Sequence, residues 1–154
     1  MILVPCRYGA LGNQLFHLAH FMGSVLSCDK SKLVFSSFEF PLDLFPNINT
    51  HSRIRVFQSG AKVNRCYNGL FKVLNSLLPS SRFHRCIVSH GPPHCNTGLP
   101  DFLSESLSRL LICQGFGFRD PSNINKNHSA ICNLLSFNVS IRQRACLLYT
   151  SDAA

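Results

Sequence analysis

Residues 2–26 impose a strand, a turn and a helix, in that order, on the start of the chain. Ile2-Leu3-Val4 is a short apolar run that reads as a buried strand, and from Leu15 onward Leu15, Leu18, Ala19, Met22, Val25 and Leu26 recur at helical spacing. Gly9 and Gly12 bracket the turn between them, and Asn13 and Gln14 open the helix. Glycine takes backbone angles closed to other residues and lets a ligand approach the main chain. A helix start offers unpaired N–H groups to a phosphate. The same two glycines could serve only to turn the chain. With two side-chain amides at the same mouth, Gly9, Gly12, Asn13 and Gln14 are the candidate binding residues.

The pattern continues as alternating strands and helices, which specifies an open α/β sheet of the Rossmann type. Leu33–Phe35 and Ile54–Phe57 are strand candidates, and Leu70–Leu78 is a helix candidate stopped by Pro79. Residues 89–100, with three prolines and two glycines, form a loop. Asp101 can cap a helix over Phe102–Leu111, and Leu110–Cys113 runs as a strand into the glycine turn at Gly115 and Gly117. A helix over Asn123–Leu135 and a last buried strand over Phe137–Ile141 complete the expected order.

The chain has 154 residues, 45% of them apolar and 14% charged, enough to bury a core. No run approaches the roughly 20 apolar residues of a membrane span. The net charge of +8 is uneven: no acidic residue lies between Asp43 and Asp101, whereas Arg53, Arg55, Lys62, Arg65, Lys72, Arg82 and Arg85 do. Such a segment favours an anionic partner or a solvated basic face. No aromatic–basic, zinc-finger or helix-turn-helix pattern accompanies it, which argues against nucleic acid. Asp43 and Glu39 are two carboxylates close together in sequence, without a pattern that assigns them acid/base roles.

Of the eight cysteines, Cys6 and Cys28 sit at element ends where free thiols serve as small apolar groups, and Cys66, Cys86 and Cys95 are the better disulfide candidates. His84, Cys86, His90, His94 and Cys95 include zinc-compatible ligand types, but they lack a Cys-x-x-Cys pair and are stiffened by Pro92-Pro93, so no metal site is assigned. His17 and His20 are expected on the surface of the first helix. Asn127-His128-Ser129 and Asn138-Val139-Ser140 match the glycosylation pattern. Because Asn138 falls in the expected buried strand, Asn127 is the expected acceptor.

The string Tyr8-Gly9-Ala10-Leu11-Gly12-Asn13-Gln14-Leu15-Phe16 resembles the N-terminal signature Gly-Gly-Leu-Gly-Asn-Gln-(Leu/Met)-Phe of the alpha-1,2-fucosyltransferases, glycosyltransferase family 11. Ala10 replaces the second glycine. Lys32-Leu33-Val34-Phe35 is similar to the family's second strand, and Leu42-Asp43-Leu44-Phe45 to a short motif after it. Gly115-Phe116 matches part of a Gly-Tyr-Phe-Gln-Ser segment. The family's last signature, His-Val-Arg-Arg-Gly-Asp, is mostly absent: Arg142 stands at the histidine position, Arg144 aligns with an arginine, and the glycine and aspartate are missing. Residues 145–154 look like a translated adapter tail and are set apart from the fold.

The resemblance implies that residues 1–144 are the first half of a two-domain, GT-B-like enzyme. Its activity would be inverting, metal-independent transfer of L-fucose from GDP-fucose to the 2-hydroxyl of a terminal galactose on a glycan. Gly9, Gly12, Asn13, Gln14 and Arg144 would line the donor cleft, no cofactor beyond GDP-fucose is implied, and the catalytic base is unassigned. This half alone is expected to be inactive. Animal members are Golgi enzymes held by an N-terminal membrane anchor, and bacterial members are cytoplasmic without one. Either location is therefore open. The reading from another class is a non-catalytic basic α/β module that binds anionic glycan or nucleic acid.

Overall fold

A computed structural model describes residues 1–5, 10–60, 63, 66, 69, 70, 73, 84–89, 97–98, 109–115, 117–141 and 143. Its centre is a five-stranded parallel sheet in the order β3-β2-β1-β6-β4. The strands are β1 (Ile2–Val4), β2 (Leu33–Phe38), β3 (Ile54–Gln58), β4 (His84–Ser89) and β6 (Leu110–Gly115). Thr97–Gly98 (β5) and Phe118–Arg119 (β7) form a separate parallel pair. The chain steps outward from β1 to β2 and β3, crosses to β4 at the opposite edge, and returns inward to β6 beside β1. The strand order therefore reverses between β1 and β6, the position where open α/β sheets leave a crevice at their carboxyl ends.

Pairing register puts matching apolar residues on one face. Ile2 aligns with Leu33 on one side and with Leu111 on the other, and Leu33 aligns with Ile54. Val4, Phe35 and Val56 make the next row. All of these are buried, and helix α1 (Leu11–Leu26) covers them with Leu18, Phe21, Met22 and Val25. Phe21, Phe35, Phe38, Phe45 and Phe118 are among the fully buried side chains, and burial of each contributes about 1.5–3 kcal/mol. Phe45 extends this core beyond the sheet by packing on Phe38 at 5.7 Å and on Phe137 at 4.7 Å between ring centroids.

Helix α1 begins at Leu11, four residues earlier than the apolar stripe indicates, because Ala10 in extended conformation already accepts the first helical bond from Gln14 N. At its other end, Arg53 Nη1 donates to the carbonyls of Val25 at 2.8 Å and Cys28 at 2.5 Å, which satisfies groups a helix C-terminus leaves open. Arg53 also lies 3.8 Å from the exposed Asp29 carboxylate.

The expected helix over Asn123–Leu135 is two helices, α2 (Pro121–Lys126) and α3 (His128–Leu134), which meet at Asn127. Asp120 caps α2 by accepting from Asn123 N, and Pro121 takes the first helical position, where it has no N–H to satisfy. The expected strand over Phe137–Ile141 does not form. Asn138 Oδ1 instead accepts from Ser140 N and Oγ at 3.2 Å each, and residues 139–141 are helical. Local hydrogen bonding by an Asn side chain has displaced a sheet ladder.

Leu110 and Leu111, which fit both the end of the expected helix and the start of the expected strand, belong to the strand β6, and residues 102–108 of that helix lie outside the described residues. Residues 70 and 73 are helical as expected, and so, ahead of the expected start, are 63, 66 and 69, all of them exposed. Cys66 is an exposed free thiol, so it is not a disulfide partner; Cys28 is also free, as expected. Cys6 and Cys95 lie outside the described residues, as does the side chain of Cys86. So do most of the five histidines and cysteines weighed for zinc: of these, only the backbone of His84 and Cys86 is described, within β4.

The outward-facing backbone of β3 is bonded by its own surroundings. Val56 N donates to Asn49 Oδ1 at 2.7 Å, and Asn49 Nδ2 donates back to Val56 O at 2.9 Å. Ile54 N donates to His51 O at 3.2 Å, and Ile54 O accepts from Arg55 Nη1 at 2.9 Å.

Two glycines of α1 differ sharply in what surrounds them. A Cβ at Gly23 would stand 2.9 Å from Ile124 N and 3.0 Å from the Asn123 carbonyl carbon, so α1 and α2 cross backbone to backbone there. A Cβ at Gly12 would meet nothing within 4 Å. Alanine gains up to about 1 kcal/mol over glycine inside a helix, but overpacking costs about 1–3 kcal/mol. Gly23→Ala is therefore expected to lower the unfolding free energy by about 1 kcal/mol or more, and Gly12→Ala to leave it unchanged or raise it. Thermal and urea melts of the two variants check this, and a stabilised Gly23→Ala would mean that the helices do not cross as closely as described.

Candidate functional site

The carboxyl ends of β1 and β6 and the start of α1 come together where the strand order reverses. Gly12 and Asn13 lie in the exposed first turn of α1. Ala10 makes no side-chain cap, and the first turn carries no acidic residue. The N–H groups of Leu11, Gly12 and Asn13 precede the first intrahelical bond and face a partial positive charge's worth of aligned dipoles. Gly12 has helical backbone, so the conformational freedom read into it from the sequence is not used; among the described glycines positive φ occurs at Gly115, at the end of β6. What Gly12 contributes is open space.

Gln14 departs from its expected place at the mouth. It is 1% exposed, and its Oε1 accepts from Glu39 N at 3.2 Å. It therefore ties the first turn of α1 to the chain leaving β2, and among the described carboxylates Glu39 is the one held there by its backbone. Gly9 and Arg144 lie outside the described residues.

Both helix histidines are buried, each 3% exposed, contrary to their expected surface position. The second half of α1 is enclosed by the sheet on one side and α2 on another, which leaves residues 17, 20 and 24 no route to solvent. His17 stands among Phe21, Phe35 and Phe118, at 5.0, 6.1 and 6.4 Å between ring centroids. His20 accepts from Asp120 N at Nδ1, 2.8 Å away, and stands edge-on to Phe16 at 4.6 Å. Burial, reinforced by the charge of Arg119, pushes the His17 pKa down to about 3 and that of His20 to about 4, Asp120 opposing the second shift in part.

Ser24, His20 and Asp120 are neighbours, yet they do not form a hydrolytic triad. The Ser24 hydroxyl donates to the Asp120 carboxyl group, and Asp120 meets His20 through its backbone N–H rather than its side chain. Asn123 supplies two further donors to Asp120, from its backbone N at 3.2 Å and its Nδ2 at 2.7 Å. This is a buried connection between α1 and α2, with Ser24 at 0% exposure and closed to substrate.

Arg119 is the residue that sequence reasoning missed. Its guanidinium carbon lies 5.0 Å from the centroid of Phe16, which is 53% exposed one turn beyond Gly12 and Asn13. Partial burial lowers its pKa from the ordinary arginine value, and Arg Nη1 donates to Phe118 O at 2.7 Å. A cation stacked on an accessible ring beside a helix start can meet both an anion and a planar group. The signal available in the sequence was a lone arginine after the glycine turn of residues 115–117.

The basic middle segment is less open than its composition indicates. Arg53 is bonded to the end of α1, and Arg55 Nη1 donates to the carbonyls of His51 and Ile54 at 2.8 and 2.9 Å. Lys62, Arg65, Lys72 and Arg82 lie outside the described residues. No grouping of three or more metal-ligating side chains occurs among the described residues, and no helix among them is long and apolar enough to cross a membrane.

The two histidines generate a pH dependence. Their folded pKa values lie below the ordinary 6.5, so the unfolded chain binds more protons as the pH falls below 6.5. Stability is full above that pH and is lost on acidification toward pH 4 and 3, at up to about 1.4 kcal/mol per pH unit for each histidine. His17→Phe is expected to remove one such contribution, which urea melts between about pH 6 and pH 4 would register as a shallower slope. An unchanged slope would mean that His17 is charged in the folded protein.

No protein-family model, curated protein or solved structure matches the chain.

Proposed function

We propose that this chain forms part of a sugar-nucleotide transferase of the two-domain, GT-B-like kind, acting as a galactoside alpha-1,2-fucosyltransferase. The observation that carries the reading is Gly12. The fold makes no demand for glycine there, since the backbone is helical and a Cβ would touch nothing, yet the residue stands at an uncapped helix start beside the sheet crevice. A missing side chain at such a helix start lets a ligand approach the main chain closely. The Gly-Ala-Leu-Gly-Asn-Gln-Leu-Phe string, with its likeness to the fucosyltransferase signature, supports GDP-fucose as that ligand.

In this reading the first-turn N–H groups of α1 and the Asn13 amide hold the sugar nucleotide, and Arg119 offsets the charge that develops on the departing diphosphate. Phe16 offers a face for a planar group. Arg144, outside the described residues, would add a second cation, as the resemblance implies. Gln14 acts at one remove, by fixing the first turn against Glu39. The galactose 2-hydroxyl needs a general base, which is unassigned. Fucose transfers with inversion, without a metal. The donor site is completed by a second half, so this chain alone does not turn over. Passage through the Golgi membrane system fits an animal-type enzyme, and the bacterial cytoplasm an unanchored one. The bonding of Arg53 and Arg55 to backbone carbonyls weighs against the basic binding module.

Gly12→Ala and Asn13→Ala test the reading in a protein that joins this chain to the expected donor half. Both should fold with unchanged or higher melting temperature, and each should lose on the order of 10-fold or more in kcat/KM for fucose transfer to a galactose-terminated acceptor. Unchanged kinetics in both variants would remove the mouth of α1 from the donor site.

A further inference from the structure

Two Asn-x-Ser sequences lie close together near the end of the described chain, and their surroundings are opposite. Asn127 joins the two helices α2 and α3, and its Nδ2 donates to Ser27 Oγ at 2.7 Å, to Asn123 O at 2.9 Å and to Gly23 O at 3.2 Å. The bonds to Ser27 and Gly23 reach across to the end of α1, where Gly23 brings the helices into backbone contact. A glycan on that nitrogen would replace a hydrogen with a sugar ring inside the crossing. Asn127, the acceptor expected from the sequence, is therefore incompatible with the folded protein.

Asn138 has the reverse arrangement. Asn138, Val139 and Ser140 are all exposed, Val139 at 56%. The backbone is anchored, since Asn138 N donates to Leu44 O at 2.9 Å and Ile141 N to Asn138 O at 3.1 Å. The side-chain oxygen accepts from Ser140 N and from Ser140 Oγ, each at 3.2 Å. Among the described residues the Asn138 Nδ2 makes no hydrogen bond. The hydroxyl that the acceptor pattern requires at its third position thus lies against the carboxamide, while the nitrogen to be modified is left toward solvent.

We infer that Asn138 is an N-glycan acceptor and that Asn127 is not. The inference rests on the secretory branch of the reading above, which supplies the compartment. In the reaction the Asn138 Nδ2 bonds to C1 of the first sugar of a polyprenyl-diphosphate-linked oligosaccharide. The C1–O bond to phosphate breaks, the polyprenyl diphosphate departs with that electron pair, and the amide gives up one proton. No oxidant or reductant enters. The product places a hydrated glycan beside the exposed Val139.

The test expresses the chain behind a cleavable signal peptide in a eukaryotic host, so that its route does not depend on the native location. The secreted protein is treated with peptide-N-glycosidase, and Asn-to-Asp conversion is read by mass spectrometry. Conversion at position 138 with none at 127 is the expected result. Asn138→Gln and Ser140→Ala should each abolish the glycan, and Ser140→Thr, which keeps the hydroxyl, should retain it. Secreted, folded protein that is unmodified at Asn138, or modified at Asn127, would overturn the inference. Either outcome leaves the fucosyltransferase reading standing, because that reading is judged by the kinetics of the Gly12 and Asn13 variants.

Discussion

The buried carboxyl group of Asp120 fixes where α1 lies, and the placement of everything at the sheet's carboxyl end follows from that. Three donors converge on it, from Ser24 on α1 and from the backbone and side chain of Asn123 on α2, while its own N–H engages His20. A buried polar group in this position is stabilising only while its partners are present, and removing one leaves the others unsatisfied at a cost of about 1–3 kcal/mol. Gly23 permits the approach of the two helices that such bonds require. The helix is thereby clamped in its second half, and its first turn projects from a fixed stem rather than from a free end.

That geometry also explains the electrostatics of α1. His17 and His20 are neutral in the folded protein at pH 7, so the charge beside Phe16 belongs to Arg119 alone among these three groups. Protonating either histidine would set like charges against the guanidinium inside the core. The positive charge that Arg119 places beside Phe16 is therefore nearly constant over the pH range in which histidines normally titrate.

Much of the sheet was legible because its strands are apolar runs between turn residues. Ile2–Val4 emerged with its bounds intact, and the runs at Leu33 and Ile54 were short by three residues and one. The order of those strands was not legible, since β4 and β6 are placed by pairings between residues distant in sequence. Periodicity failed where side-chain amides intervened. Asn127 split a helix by bonding across to α1, and Asn138 turned an alternating apolar segment into a helical turn. Gly12 and Asn13 lie in the exposed first turn of α1, but Gln14 points inward to Glu39, and Arg119 carried no motif at all. A side chain's job at an element end depends on what packs over it, which a linear pattern does not contain.

The bonding of Asn49, His51 and Arg55 along the outer side of β3 has a consequence for how the molecule can assemble. Parallel sheets recruit new strands through unused ladder groups at their margins. At Ile54 and Val56 those groups are already spoken for by neighbouring side chains and a loop carbonyl. An incoming strand finds no donor–acceptor row to read there, so polymerisation by sheet extension is blocked on that flank.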